Sequence, residues 1–226
     1  PQGRTAWVTE PYQDAKDGYR GYPVHTEEEV SEAVRVSREK GVQLLAHCNG
    51  DAAAAQYIRC CRRAQEETGR AVRDIRPVMI HAQLVRPKQL AEMKELGILP
   101  SFFAAHLWYW GDIHVENFGA RRAASISPLG AAERLGLPYT LHQDTPVIQP
   151  DMLESVWCAV NRVTRSGAVL GPEDIKPYYE NPRVLGLAEV MNSVGVVAGR
   201  EDLMEKLKEA GSRGKVIDGH APFLGG

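Results

Sequence analysis

The sequence predicts an α/β fold in which short buried strands alternate with helices. Apolar segments of strand length lie near residues 42–46, 78–82, 98–105 and 139–141. A glycine separates each of these segments from the helical pattern before it, and the connections are short. Such alternation favours a parallel sheet with crossover helices, and the spacing alone leaves open whether the sheet closes into a barrel.

The helix starts can be predicted from their capping residues. Thr26 and Glu29 form a capping box, in which each side chain bonds the other residue's backbone N–H, so a helix begins there. Asp51 is expected to cap the second helix and Pro87 to open the third, because proline fits the first helical turn. Asp151 opens a further helix.

The pattern changes after residue 175. A strand is predicted at residues 184–191, a helix at residues 201–210 and a short strand at residues 215–218. We therefore predict two units, residues 1–175 and residues 176–226.

Composition excludes several functional classes. The formal net charge is -2, with 27 basic and 29 acidic residues interleaved, so no basic surface for nucleic acid is expected. No apolar segment approaches the ~20 residues that span a bilayer. The four cysteines lack C-x-x-C spacing and are predicted to be reduced thiols of a cytoplasmic protein. A small molecule or a metal ion is the expected partner.

Two strands end in histidine, at His47 and His81. The carboxyl ends of parallel strands lie at one edge of the sheet, so the two imidazoles are expected to be close together. Neutral imidazole is the commonest ligand for zinc and similar ions, so the repeat indicates a metal site. The alternative is that both are hydrogen-bonded core histidines.

The fourth strand carries two further polar side chains, His142 and Asp144. They lie two residues apart and so point to the same side of the strand. Asp144 could accept a proton from an activated water, bind the metal, or cap the turn before Pro146. His142 could line a pocket or support a metal ligand.

Other candidates lie in an aromatic segment and near the C-terminus. Residues 105–114 are predicted to form a long loop, in which His106 and Trp110 would line a substrate pocket or form a lid. Glu189 is a lone carboxylate within an apolar segment and requires a partner there, because an unpaired buried charge is costly. His220 again follows a predicted strand.

Four motifs together resemble the metal-dependent amidohydrolase superfamily, in the branch that includes N-acyl amino acid deacylases and exoenzyme regulatory proteins. The motifs are AHCNGD at residues 46–51, IHAQLV at 80–85, SFFAAH with YWGD at 101–112, and LHQDTPV at 141–147. The resemblance implies that the first unit is the later half of a TIM-type (β/α)8 barrel. By the same resemblance, His47 and His81 are metal ligands, Asp144 activates the hydrolytic water and His106 lines the pocket.

The barrel implied by this resemblance is partial or rearranged. No His-x-His pair, which the superfamily carries on its first strand, occurs in the chain. Residues 181–222 resemble part of adenine deaminase from the same superfamily, which implies metal-binding roles for Glu189 and His220.

The sequence therefore predicts a metal-dependent hydrolase that cleaves a C–N bond, either an amide or an N-acyl group, with zinc as the expected ion. One alternative is a hydrolytic deaminase like adenine deaminase. A second is an inactive barrel fragment or chimera that lacks the full metal site. Unpaired sheet edges in a half barrel would favour a homo-oligomer.

Overall fold

The chain folds around a four-stranded parallel sheet with the strand order β1-β2-β3-β4. The computed structural model describes residues 1–168, 186–187, 201–213 and 216–217. The strands of the sheet are β1 (Leu45–Cys48), β2 (Val78–His81), β3 (Leu99–Phe102) and β4 (Thr140–Leu141). This arrangement confirms the predicted α/β class with crossover helices.

Within the described residues, six helices accompany this sheet and a seventh lies nearer the C-terminus. They are α1 (Glu27–Lys40), α2 (Asp51–Thr68), α3 (Pro87–Leu96), α4 (His106–Ala123), α5 (Leu129–Leu135), α6 (Met152–Asn161) and α7 (Glu201–Ser212). Two short 3-10 turns lie at Lys16–Gly18 and Val72–Ile75.

Local sequence signals account for most helix ends. Thr26 and Glu29 form the predicted capping box, and Asp151 Oδ1 accepts a hydrogen bond from Glu154 N at 3.0 Å. A glycine in the left-handed conformation follows α1, α2, α3 and α5, where a side chain would be strained. These ends confirm the predicted boundaries to within a few residues.

Asp51 has a different role from the predicted helix cap. Gly50 is the N-cap of α2, and Asp51 is the first helical residue. Its carboxylate accepts a hydrogen bond from Thr9 N at 2.9 Å and pairs with Arg86 at 2.6 Å. The predicted cap was wrong because two partners distant in sequence take the carboxylate oxygens instead.

The aromatic segment at residues 105–114 is helical, so the predicted loop was wrong. It forms the first half of α4, which is interrupted at Gly119, where φ is 74°. Gly111 faces Thr164 so closely that a Cβ there would overlap the threonine Cγ2. Tertiary packing of this kind stabilises a helix that has no clear apolar stripe.

The core lies between the sheet and its helices. Large side chains that are almost fully buried include Tyr57 of α2, Met79 of β2, Leu90 of α3 and Phe102 of β3. All four cysteines are buried free thiols, as predicted. No helix among the described residues is both long and apolar enough to cross a bilayer.

Near the C-terminus, β5 (Gly186–Leu187) and β6 (Val216–Ile217) form a separate parallel pair. Glu189 and His220 lie outside the described residues. The predicted boundary at residue 175 does too, so the division into two units stays a prediction.

Candidate metal centre

Three candidate ligands meet where β2 and β4 end. His81, His142 and Asp144 can each place a ligand atom so that all three atoms lie within 4.8 Å of one another. His142 Nε2 lies 3.1 Å from His81 Nδ1. His81 is buried, His142 is half-buried and Asp144 is exposed, so the group is open to solvent on one side.

The backbone turns sharply at two of these residues. His81 has φ of 69° and Asp144 has φ of 55°, in the left-handed region that non-glycine residues rarely adopt. Two backbone hydrogen bonds hold these turns. Leu84 N donates to Asn49 O at 3.1 Å after His81, and Val147 N donates to Asp144 O at 2.8 Å. Such strain is concentrated at functional sites, where the surrounding structure maintains it.

Ser101 orients the His142 ring. The Ser101 hydroxyl lies 3.0 Å from His142 Nδ1, and Ser101 itself is buried in β3. If Nδ1 carries the proton and donates it to this hydroxyl, the Nε2 lone pair faces His81. A hydrogen bond on the remote ring nitrogen is how metal-binding histidines are usually held.

The imidazoles are held in the neutral form that binds metals. Burial, followed by repulsion from the neighbouring His47 and His142 rings, lowers the pKa of His81 to about 3. Burial also lowers the pKa of His142, although Asp144 opposes that shift. Both rings therefore have a free lone pair near neutral pH.

His47 borders this group without belonging to it. Its ring lies 4.6 Å from the His81 ring in an edge-on arrangement, and its Nε2 accepts a hydrogen bond from Asn49 Nδ2 at 3.1 Å. The side chain lies on a cavity of about 830 Å³ between β1, α1 and the N-terminal segment. The prediction that His47 binds the metal stays a prediction, and binding through Nε2 would require Asn49 to release that nitrogen.

His106 and Trp110 lie behind the candidate site. His106 is buried, and its Nδ1 is 2.7 Å from Nε2 of the fully buried His114. The centroid of the Trp110 ring lies 4.5 Å from that of His106, with the two rings tilted by 45°. Trp110 also contacts Phe103, whose ring centroid lies 5.5 Å from that of His142. The two residues support the site from its inner side, and their predicted contact with substrate stays a prediction.

The donor set fits a single divalent ion. Two nitrogens that bind a tetrahedral ion at ~2.0–2.1 Å are separated by about 3.3 Å, close to the observed 3.1 Å. Two imidazoles and one carboxylate are also a usual set for a catalytic ion that keeps one open position. The described residues supply three ligands, which suffices for one ion but not for a bridged pair.

Ser101 and Asn49 support the site, and neither role was predicted from the sequence. Ser101 is a polar residue within a buried strand, which is a usable signal because buried hydroxyls need partners. Asn49 follows His47 by two residues, a spacing that puts side chains on the same side of a strand and could have indicated their hydrogen bond.

The structure thus defines a β/α protein with a candidate metal site at the carboxyl edge of a parallel sheet. The chain belongs to the amidohydrolase family, whose family model matches residues 1–186.

Among curated proteins, the chain is similar to adenine deaminases. It is 59% identical to the Bacillus velezensis enzyme over 60 residues, which are 26% of this chain and 10% of the relative. It is 45% identical to the Bacillus subtilis enzyme over 91 residues, which are 39% of this chain and 16% of the relative. The matched segments therefore span at most about a sixth of these relatives.

Among solved structures, the fold is similar to two uncharacterised metal-dependent hydrolases. The Pyrococcus furiosus protein superposes with a TM-score of 0.63 at 25% identity, over 77% of this chain and 34% of that one. The Pyrococcus horikoshii protein gives 0.62 at 26% identity, over 78% and 34%. The chain thus corresponds to about a third of each of these hydrolases.

Proposed function

We propose that this chain carries the metal-binding edge of an amidohydrolase that cleaves a C–N bond in a small molecule, with zinc as its ion. The observation that carries the proposal is the convergence of His81, His142 and Asp144 at the ends of β2 and β4. The metal-dependent hydrolases of similar fold support it. A divalent ion at this place would polarise the scissile carbonyl and make a water more acidic.

Each side chain has a distinct role in this proposal. His81 and His142 offer their facing nitrogens as neutral ligands, since burial keeps both rings deprotonated. Ser101 keeps the His142 ring in place. Asp144 is exposed to solvent, so one oxygen of its carboxylate can serve as the third ligand while the other takes a proton from the attacking water and returns it to the leaving nitrogen.

The similarity to adenine deaminases favours a second candidate reaction, the hydrolytic loss of ammonia from a purine. It would use the same hydrolytic chemistry at a ring carbon. Glu189 and His220 would contribute to the metal site in that case, as the sequence resemblance implies.

A partner chain is part of the proposal as well. Within the described residues, β1 and β4 each have only one neighbouring strand. Leu45 of β1 is 57% exposed. An unpaired strand edge readily pairs with another chain, which supports a homo-oligomer.

The test measures the metal content of the purified chain by elemental analysis. We expect near-stoichiometric zinc in the wild type and a loss of most of it in His81→Ala and His142→Ala. His25→Ala is the matched control, because that side chain is 68% exposed and distant in sequence from the cluster. Less than about 0.1 ion per chain in the wild type, or equal metal in all variants, would contradict the proposed site.

Turnover then separates the candidate reactions. The metal-loaded chain is assayed with a panel of N-acyl amino acids and with adenine, with Asp144→Asn as the inactive reference. Deacylation supports the amide reaction and release of ammonia from adenine supports the deaminase. Stoichiometric metal without either activity would leave the substrate open and would be consistent with the inactive-fragment alternative.

A further inference from the structure

A second cavity of about 420 Å³ lies away from the candidate metal centre. The N-terminal segment, the start of α2, the β2–α3 loop, the second half of α4 and α5 enclose it. None of the four residues His47, His81, His142 and Asp144 lines it. Its volume is in the range of small-molecule sites, about 300–1,000 Å³.

Arginines dominate its polar lining. Five of them face the cavity together with only two carboxylates, Glu10 and Asp51. Arg121 and Arg86 each lie 3.3 Å from a different oxygen of Glu10. Arg86 also pairs with Asp51 at 2.6 Å. The two carboxylates are thus occupied by two of the arginines.

Two further guanidinium groups bring positive charge without an acidic partner in the described part of the chain. Arg122 donates to the backbone carbonyls of Phe118, Glu10 and Pro11 at 2.7–3.0 Å, which orient it without neutralising it. Arg134, on α5, is exposed and makes no ion pair with a described residue.

The charge balance indicates what would occupy this space. Glu10 fastens the N-terminal segment to Arg86 and Arg121, so those ion pairs have a structural role. The fifth arginine, Arg162, is buried and donates to the backbone carbonyls of Ser127, Ala124 and Ile126. Arg122 and Arg134 add positive charge that fastening the N-terminal segment does not require, and a doubly negative ligand would balance these two groups. Guanidinium groups bind the oxygens of such a ligand in pairs, and they do so most strongly with phosphate and carboxylate.

We propose that this cavity is a binding site for a phosphate group, either free or carried by a small metabolite. A tetrahedral dianion would balance the charges of Arg122 and Arg134, which come from two different helices, α4 and α5. The proposal is independent of the hydrolytic reaction, because it uses none of the residues of the metal centre.

The test is a calorimetric titration of the purified chain with inorganic phosphate at pH 8 and constant ionic strength. Succinate is titrated in parallel, since a dicarboxylate carries the same charge with a different shape. The variants are Arg134→Gln, which changes an exposed side chain, and the double variant Arg122→Gln/Arg134→Gln, which removes both guanidinium groups assigned to the ligand. Arg70→Gln is the charge-matched control, because Arg70 is exposed and does not line the cavity.

We expect saturable phosphate binding with a Kd below about 1 mM, weakened about tenfold in Arg134→Gln and lost in the double variant. Arg70→Gln should bind as the wild type does. His142→Ala should also retain binding, which separates this cavity from phosphate bound at the metal centre. Absence of saturable binding, tighter binding of succinate, unchanged affinity in Arg134→Gln, or loss of binding in His142→Ala would each overturn the proposal.

Discussion

His142 Nε2 lies 3.1 Å from His81 Nδ1, although the two residues are 61 positions apart in the chain. The strands that carry them are not neighbours, since β3 lies between β2 and β4. Two strand spacings amount to about 9.6 Å, so the rings meet only because both reach across the end of β3. Ser101 of β3 is in contact with one of them, which makes this serine important for the geometry.

Replacing Ser101 with alanine should therefore weaken metal binding without unfolding the protein. The hydroxyl lies 3.0 Å from His142 Nδ1, and its loss frees the ring to rotate and removes the acceptor that selects the metal-binding tautomer. We expect a fall in metal affinity of about 10- to 100-fold, measured by competition with a chromophoric chelator.

The control for this prediction is Ser125→Ala, which removes an exposed serine hydroxyl that donates only to the Arg122 carbonyl. It should leave metal affinity unchanged. Equal affinities in Ser101→Ala and the wild type would show that Ser101 does not position the ligand.

The order of strands and helices could be predicted from local sequence signals. The features that could not be predicted depend on contacts between residues distant in sequence. The capping box at Thr26 and the glycine after α1 depend on residues close in sequence, so they could be predicted. The partners of Asp51 could not, because Arg86 and Thr9 are distant from it in sequence and meet it only in the folded chain. For the same reason the sequence indicated His81, His142 and Asp144 individually, but not which of them would converge.

The helical form of residues 105–114 shows the same limit. The segment has aromatic residues on several sides, so periodicity did not separate a helix from a loop. In the structure, His106 and Trp110 pack together on Phe103, and the absence of a side chain at Gly111 leaves room for Thr164. These contacts come from residues on both sides of the segment, and they determine its conformation.

Phe103→Ala should cost about 3–5 kcal/mol of unfolding free energy. Phe103 is 1% exposed. Its ring centroid lies 5.2–6.2 Å from the ring centroids of four neighbours, His81, His142, His106 and Trp110. The truncation leaves a cavity directly behind the metal centre. Urea denaturation measures the loss, with Leu153→Ala as the control, because an 81% exposed leucine should contribute no more than about 0.5 kcal/mol. Similar costs for both variants would contradict the central role of Phe103.

Acidification should destabilise the fold through the buried pair of His106 and His114. Burial lowers the pKa of His114 to about 3 and also lowers that of His106, whereas an unfolded histidine titrates near 6.5. Between these values the native state binds fewer protons than the unfolded state. Its stability is therefore complete above pH ~6.5 and falls as the pH is lowered towards about 3.

The measurement compares urea unfolding at pH 7.5 and pH 5.0, with EDTA present so that metal release does not contribute. The loss of stability between the two values should be smaller in His114→Phe than in the wild type. His25→Phe, which changes a side chain that is 68% exposed, should keep the wild-type loss. An identical loss in His114→Phe and the wild type would show that this pair does not titrate on unfolding.

Gly50→Ala should displace the N-terminal segment from the loop that follows His47. A Cβ at Gly50 would overlap the Trp7 carbonyl oxygen and lie 2.6 Å from its carbon, and backbone atoms cannot rotate away as a side chain can. We expect a loss of about 1–3 kcal/mol of unfolding free energy. Hydrogen exchange should also accelerate at the Thr9 amide, whose nitrogen lies 2.9 Å from Asp51 Oδ1 in the bond that holds the segment.

Gly3→Ala is the matched control, because nothing lies within 4 Å of its Cβ position. The stability of this variant should change by no more than about 0.5 kcal/mol. If Gly50→Ala retained both stability and Thr9 protection, the close contact between Trp7 and the β1–α2 loop would be absent in solution.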